Sequence, residues 1–343
     1  MINIYPDEPA MNVRRVQITG GSSFMITLPK DWAESVNLKK NDPVVVVPQP
    51  NGGLLLNVGV TQSQNADYAT TIDADSVPDA EALYRMLIGA YIAGHSEIAV
   101  TSAHSLRGGM LEAVSRFTQT SIGMEIYEEF EDRVVMKDLM DQTEVLPQKN
   151  VNREYLLVKR MVADVFQAAR DDDPAKLDAM ADRDTEVDRI HWLIQRQSSI
   201  HQIDIGLSTR MGIDLRTVTG SVAVSKTLER MGDHAVLVAG HLGGLMKAGK
   251  AGPAEEALKG LEGTVMELID SSVTAWATAD GPRAEECIRA AKKAAPEVSG
   301  RFAEAAKDPS ALAAVEMISG SVRRLAEYCA DIAESAINVS MER

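Results

Sequence analysis

Val224-Ser-Lys-Thr-Leu-Glu-Arg-Met-Gly-Asp-His-Ala235 returns in altered form as Ile318-Ser-Gly-Ser-Val-Arg-Arg-Leu-Ala-Glu-Tyr-Cys329, at a constant offset of 94 (318 minus 224). Apolar positions keep their places (Val224/Ile318, Leu228/Val322, Met231/Leu325), small Gly232/Ala326 stays small, and Ser225/Ser319 and Arg230/Arg324 are identical. The chain therefore holds an internal repeat whose apolar spacing is helical. On such a helix Glu229 and Asp233 stand one turn apart on one face. Two stacked carboxylates repel by only roughly 0.2–0.5 kcal/mol in water and far more once buried, so the face calls for a cation, either a side chain or a metal.

Working outward, helical patterns run from about residue 151 to the C-terminal residue Arg343. Helix one spans about Val151 to Arg170 and ends at Asp171-Asp-Asp-Pro174. A helix from about Leu261 ends likewise at Ala279-Asp-Gly-Pro282. Helix two follows Pro174 to about Gln197, echoed from Pro282 to about Ala306. Helix three runs from Asp214 to Lys247, echoed from Pro309 to Ile337. The offset shrinks from 108 (282 minus 174) to 94, which places the missing residues in a loop around His201 to Ser208 of the first copy.

Helix two contributes Asp184, Asp188 and His191, at i, i+4 and i+7 on one stripe, with Glu186 and His234 projecting elsewhere. If helices two and three pack antiparallel, Asp184 and Asp188 face Glu229 and Asp233, giving four carboxylates in one groove. Oxygen ligands suit a divalent or trivalent ion such as magnesium, calcium, manganese or iron, and His191 as an additional ligand tilts the choice toward iron or zinc. The bland alternative is that an acidic helical chain produces such pairs by chance, with Lys226 and Arg230 making surface ion pairs worth about 0–1 kcal/mol.

The repeat resembles the PhoU family of phosphate-uptake regulators over about residues 151–341, through Asp184-x-x-x-Asp188, Glu229-x-x-x-Asp233 and the run Leu228-Glu-Arg-Met-Gly-Asp-His-Ala235. The resemblance implies two E/D-x-x-x-D motifs for metal in each three-helix unit. The second copy departs from it: Arg323 replaces Glu229, Glu327 replaces Asp233, and Lys292 or Ala295 with Pro296 or Ser299 replace the helix-two acids. A Glu327/Asp331 pair survives there, with Arg323 and Arg324 beside it to neutralise it.

Upstream the periodicity changes. Met1 to Ala10 reads as a disordered extension. From Arg14, alternation marks strands at Val16–Ile18 and Phe24–Leu28 around Gly20-Gly-Ser-Ser23, a helical turn over Asp31–Val36, and a hairpin of Val44–Val47 with Leu54–Leu56. So few elements bury too little alone, and the reading predicts a dimer. Gly20-Gly-Ser-Ser-Phe-Met-Ile-Thr-Leu-Pro-Lys-Asp-Trp32 and Leu38-Lys-Lys-Asn-Asp-Pro-Val-Val-Val46 resemble the SpoVT/AbrB family over about residues 12–58. The resemblance implies a swapped-hairpin β-barrel and, in many members, DNA binding, for which Arg14, Arg15 and Lys30 are the candidates. The other reading is that these cations solvate a module that only dimerises.

Between the two lie a polar stretch at 61–79 with a strand at Ala69–Ile72, read as a linker, and then alternating elements of a small α+β domain. Its cluster Glu125, Glu128, Glu129, Glu131, Asp132 reads as a solvated hairpin rather than a metal site, because alternation sends neighbours to opposite faces. The expected divisions are 1–10, 11–60, 61–148, 149–248 and 252–343.

The net charge of −15 argues against wholesale nucleic-acid wrapping, yet residues 11–60 carry five basic against three acidic side chains. Aromatics at 4% favour helix over a β-sandwich, and two cysteines without a CxxC spacing read as core thiols of a cytoplasmic chain. No nucleophile–base pair or nucleotide cradle is evident, and no membrane insertion is expected. The function expected is negative regulation of phosphate uptake, through promoter DNA. The alternative is an adaptor that contacts phosphate ABC transporter components or a kinase, and a metal-dependent hydrolase is a third reading.

Overall fold

The computed structural model describes residues 13–48, 52–58, 68–106, 108–141, 146–204, 208, 211–303 and 305–341, and the chain divides into two compact units, 1–66 and 67–343. The extension expected at 1–10 lies outside the described residues. The first unit contains β1 (Gln17–Thr19), β2 (Ser23–Met25), α1 (Lys30–Ser35), β3 (Val44–Pro48) and β4 (Leu54–Val58). Gly20 and Gly21 take φ of +63° and +88°, which closes the first hairpin where a side chain would be strained. β1 pairs antiparallel with β2, and β3 with β4, as two separate two-stranded sheets. No described residue of this unit is buried. Ile18 is 68% exposed and Phe24 78%, so the apolar side chains that should form a core have nothing to pack on.

The second unit opens with a four-stranded sheet: β5 (Ala69–Asp73), α2 (Ala80–Ile92), β6 (Glu97–Thr101), α3 (Gly109–Thr120), β7 (Met124–Glu129) and β8 (Arg133–Asp138). The order is β5-β6-β8-β7, with β5 parallel to β6 and the other pairs antiparallel. The strand foreseen at Ala69–Ile72 is thus an edge of this sheet, since Ile72 is buried with Ile98, Val134 and Met136 beneath α2 and α3. Asp79 caps α2, its carboxylate accepting from the Ala82 N–H at 2.7 Å. Glu125–Glu129 is exposed throughout, as expected of a solvated hairpin.

Among the described residues the α-helices that follow are α4 (Pro147–Asp171), α5 (Met180–Ile203), α6 (Leu215–Lys247), α7 (Gly252–Lys259), α8 (Glu262–Thr278), α9 (Gly281–Phe302) and α10 (Leu312–Met341). α4–α6 and α8–α10 are the two copies, and the short α7 between them carries no repeat signal. Helix two begins later than its proline: Asp173 and Pro174 open a single 3-10 turn, and α5 starts at Met180. It also ends later, so His201, expected in a loop, is buried in the last turn of α5 with Nδ1 2.8 Å from Ser208 Oγ. The repeated apolar positions Val224/Ile318, Leu228/Val322 and Met231/Leu325 are all buried, in one core that runs through both copies.

α5 also carries the sheet. Trp192 packs on the core beneath the strands, while Ile190 and Ile194 face the helical core. Arg196, fully buried, bonds Asp138 at 2.7 Å and donates to the Tyr91 carbonyl at 2.6 Å. Breaking one side of such a buried pair costs about 3–5 kcal/mol, so the sheet is fixed to the helix whose other face presents the acids.

Candidate functional site

The groove is built by register. An added Cβ on Gly232 would stand 3.4 Å from Asp184 Oδ1 and 3.5 Å from Val187 Cγ1, and His191 Nδ1 lies 2.8 Å from Ser225 Oγ. Both pairs sum to the same number (184 + 232 and 191 + 225 are both 416), which is the signature of α5 packed antiparallel to α6. Asp188 therefore sits opposite position 228, next to Glu229, between those two layers.

Each aspartate of the groove feels the charge of its neighbours. Burial, then Asp233 and Glu229, push Asp184 up to about 6. Burial, then Asp184, Glu229 and Asp233, push Asp188 up to about 7, against the opposing pull of Lys226. Asp233 is raised by burial and Glu229. Lys226 Nζ donates to both Glu229 oxygens at 2.8 Å, so part of the cation demand is met by a side chain, as the bland reading anticipates. Glu229 is only 14% exposed, which makes this more than a surface pair. Among the described residues no three His, Cys, Asp or Glu side chains are drawn together tightly enough to hold an ion in this arrangement.

His191 is buried and held neutral, its imidazole pushed down to about 4 by burial. Both ring nitrogens are engaged, Nδ1 by Ser225 and Nε2 by Gln195 at 2.6 Å, so it would have to give up a partner to become a ligand. The Ser225–His191 contact is a nucleophile–base pair in distance, but Ser225 is 0% and His191 2% exposed, and no substrate reaches it. Glu186 points away to Arg153 and Arg189, and His234 to Ser321, as the stripe required.

One acid went unnoticed in the sequence. Glu154 of α4 is 0% exposed, and neither of its oxygens has a hydrogen-bond partner. The Ser225 hydroxyl favours its ionised form, yet burial outweighs that and holds the carboxyl well above the usual range, with Glu229 and Asp188 adding to the rise. The signal was present: Val151, Glu154 and Val158 share one helical stripe, so a glutamate stands where an apolar residue belongs.

In the second copy Arg323 bonds Glu327 at 3.3 Å and Arg324 bonds it at 2.9 Å, as the substitutions implied. Of the candidate DNA-contacting cations, Arg14 and Arg15 lie exposed in irregular chain before β1. Lys30 opens α1 and pairs with Glu34 at 3.4 Å.

The PhoU domain family matches residues 151–241, and the family of the antidote-toxin recognition protein MazE, a bacterial antitoxin, matches residues 17–63. Both resemblances read from the residues are thus shown, with the PhoU match confined to the first three-helix unit. Among solved structures, PhoU from Pseudomonas aeruginosa is similar over 57% of this chain and 96% of its own, at 19% identity and a TM-score of 0.49. The phosphate transport system regulatory protein PhoU from Streptococcus pneumoniae is similar over 57% and 94%, at 14% identity and a TM-score of 0.42. No curated protein matches the chain.

Proposed function

We propose that this chain is a cytoplasmic regulator of phosphate uptake that pairs through its N-terminal hairpins and binds promoter DNA with them, while the acidic groove of the first three-helix unit holds a metal ion. The observation that carries the reading is the fusion of a PhoU domain at 151–241 to a MazE/AbrB-like domain at 17–63. Support for pairing comes from the first unit, where Ile18, Phe24 and Leu54 stand exposed on hairpins that a second copy would cover. Support for a metal comes from the donor chemistry: Asp184, Asp188 and Asp233, raised by burial and by neighbouring acids, beside a Glu229 that a single lysine neutralises, are the balance a hard, oxygen-preferring cation corrects. Asp184, Asp188, Glu229 and Asp233 would hold it. The ion would supply charge neutralisation rather than a reaction, consistent with a regulator and not an enzyme.

The test is binding of the full chain to its own promoter and to phosphate-transporter promoters, against scrambled duplexes at moderate salt. The expected result is a preference that falls steeply with salt and is lost in the triple variant Arg14→Ala, Arg15→Ala, Lys30→Ala. A chain that is dimeric yet shows no promoter preference would establish the adaptor instead, with residues 12–58 acting only as a clasp.

A further inference from the structure

Where α4 meets α5, away from the acidic groove, the balance of charge reverses. Arg153, Arg160 and Asp164 lie at i, i+7 and i+11 on α4, and Arg183, Glu186 and Arg189 lie at i, i+3 and i+6 on α5, so each helix brings one charged flank to the seam. The flanks meet in two layers. In one, Glu186 takes Arg189 from its own helix at 2.5 Å and Arg153 from α4 at 3.8 Å. In the other, Asp164 takes Arg160 from its own helix at 2.9 Å and Arg183 from α5. Each layer thus sets two guanidiniums on one carboxylate and keeps one positive charge in surplus. Among the described residues no further carboxylate lies within ion-pair distance of these four arginines.

One arginine suffices to neutralise each carboxylate. A second, added to an already neutral pair, gains no more than an exposed ion pair does, about 0–1 kcal/mol. Arg196 shows what a structural arginine looks like in this chain: it is fully buried and bonds Asp138 through both Nε and Nη2. None of the seam arginines forms such a fork, and their side chains are 27–66% exposed. Arg189 Nε has no acceptor at all. Guanidinium N–H groups in this state are free to grip an oxyanion, for which the planar fork is suited.

The size of that anion follows from the charge around it. With a net charge of −15, the chain repels a long polyanion lying across its surface, whereas a small anion confined to the seam meets only the surplus. The two layers stand about 10 Å apart along α4 and about 9 Å apart along α5, a span that flexible arginine side chains can narrow from both ends. A single phosphate satisfies one layer. Linked phosphates satisfy both.

We propose that the α4–α5 seam is a binding site for a short chain of linked phosphates, with Arg153 and Arg189 holding one end and Arg160 and Arg183 the other. The site is independent of the acidic groove and of the N-terminal hairpins.

The experiment is calorimetric titration of the full chain with sodium tripolyphosphate and with orthophosphate, in buffer free of divalent cations. The proteins are the parent, the double variant Arg153→Gln, Arg160→Gln, and the triple variant Arg14→Ala, Arg15→Ala, Lys30→Ala. The glutamines leave Glu186 with Arg189 and Asp164 with Arg183, so each carboxylate keeps a partner and melting should stay close to the parent's. Tripolyphosphate should bind the parent about tenfold or more tighter than orthophosphate does, and the double variant should lose about tenfold per arginine removed. The triple variant should bind as the parent does. Arg160→Gln alone, at the most exposed of the four, serves should the double variant fold poorly. Parent-like tripolyphosphate binding in a folded seam variant, loss in the triple variant alone, or equal affinity for the two phosphates would overturn the proposal, as would no binding by the parent.

Discussion

At position 154 the first three-helix unit buries a carboxylate with no partner, whereas at 262, the same place 108 residues on, the second unit keeps its carboxylate 28% exposed and bonded to Arg170. The contrast recurs along the helix that decides the fold. Glu229 is almost enclosed and faces two more acids, while Arg323 in its place lies 45% exposed and neutralises Glu327 on its own helix. Gly232 lies beside the Asp184 carboxylate; Ala326 in its place is a wholly buried core residue. The two units share a core and differ in the layer where charge is either stored or cancelled. Duplication preserves what packing needs, and the polar face is free to change.

The largest effect that can break this comparison is metal itself. Mn²⁺ at a hundred times its dissociation constant should stabilise the parent by about 2.7 kcal/mol, several degrees in melting temperature. Asp233→Asn should abolish that rise and Glu327→Gln should leave it nearly intact. Equal loss in both would mean the units are not functionally distinct.

Next comes pH. Asp184 and Asp188 titrate in the folded chain near 6 and 7, above their unfolded values, so their contribution is complete below about pH 4 and is lost as pH rises through 6 and 7. Glu154 acts in the same direction. His191, depressed to about 4, acts oppositely and gains stability up to its unfolded value near 6.5. Lys226 and Arg230 moderate the acids without reversing the sign. Metal-free protein should therefore lose about 2 kcal/mol between pH 5 and pH 8, after discounting for partial solvent access. Urea midpoints at the two pH values measure it. Asp188→Asn should flatten the slope, and a loss unchanged in that variant would place its source outside the groove.

Gly232→Ala sharpens the comparison by giving the first unit the second unit's residue. The added Cβ meets its neighbours at 3.4 Å and beyond, ordinary contact, so the helix should gain about 0.5–1 kcal/mol. A destabilised variant in thermal melts would show that the Asp184 carboxylate and Val187 do not accommodate the methyl group. The smallest effect is Arg323→Ala, which removes an exposed i,i+4 pair and should change stability by no more than about 0.5 kcal/mol.

Much of this was legible without coordinates. The order of elements in residues 17–58, the α+β middle and the two helical copies all follow from periodicity and turn residues. Where the structure differs, a nonlocal contact decides. α5 continues to Ile203 because His201 finds Ser208, and β5 joins a sheet because β6, more than twenty residues on, runs parallel beside it. The middle region had no assignable role from its residues, since its attachment rests on Arg196 reaching Asp138 and Tyr91 from another element.

The amino-acid order by itself determined that two like-built helical units exist and that only the first carries Asp184, Asp188, Glu229 and Asp233, because helical spacing fixes which side chains share a face. Which helices face one another, and in what register, is not a local property. Tertiary packing alone set Gly232 against Asp184, gave Lys226 to Glu229, closed both nitrogens of His191, and left Glu154 enclosed without a partner. The physical reason is that a carboxylate's charge and reactivity depend on the water and partners removed from around it, and those are decided by the other two helices.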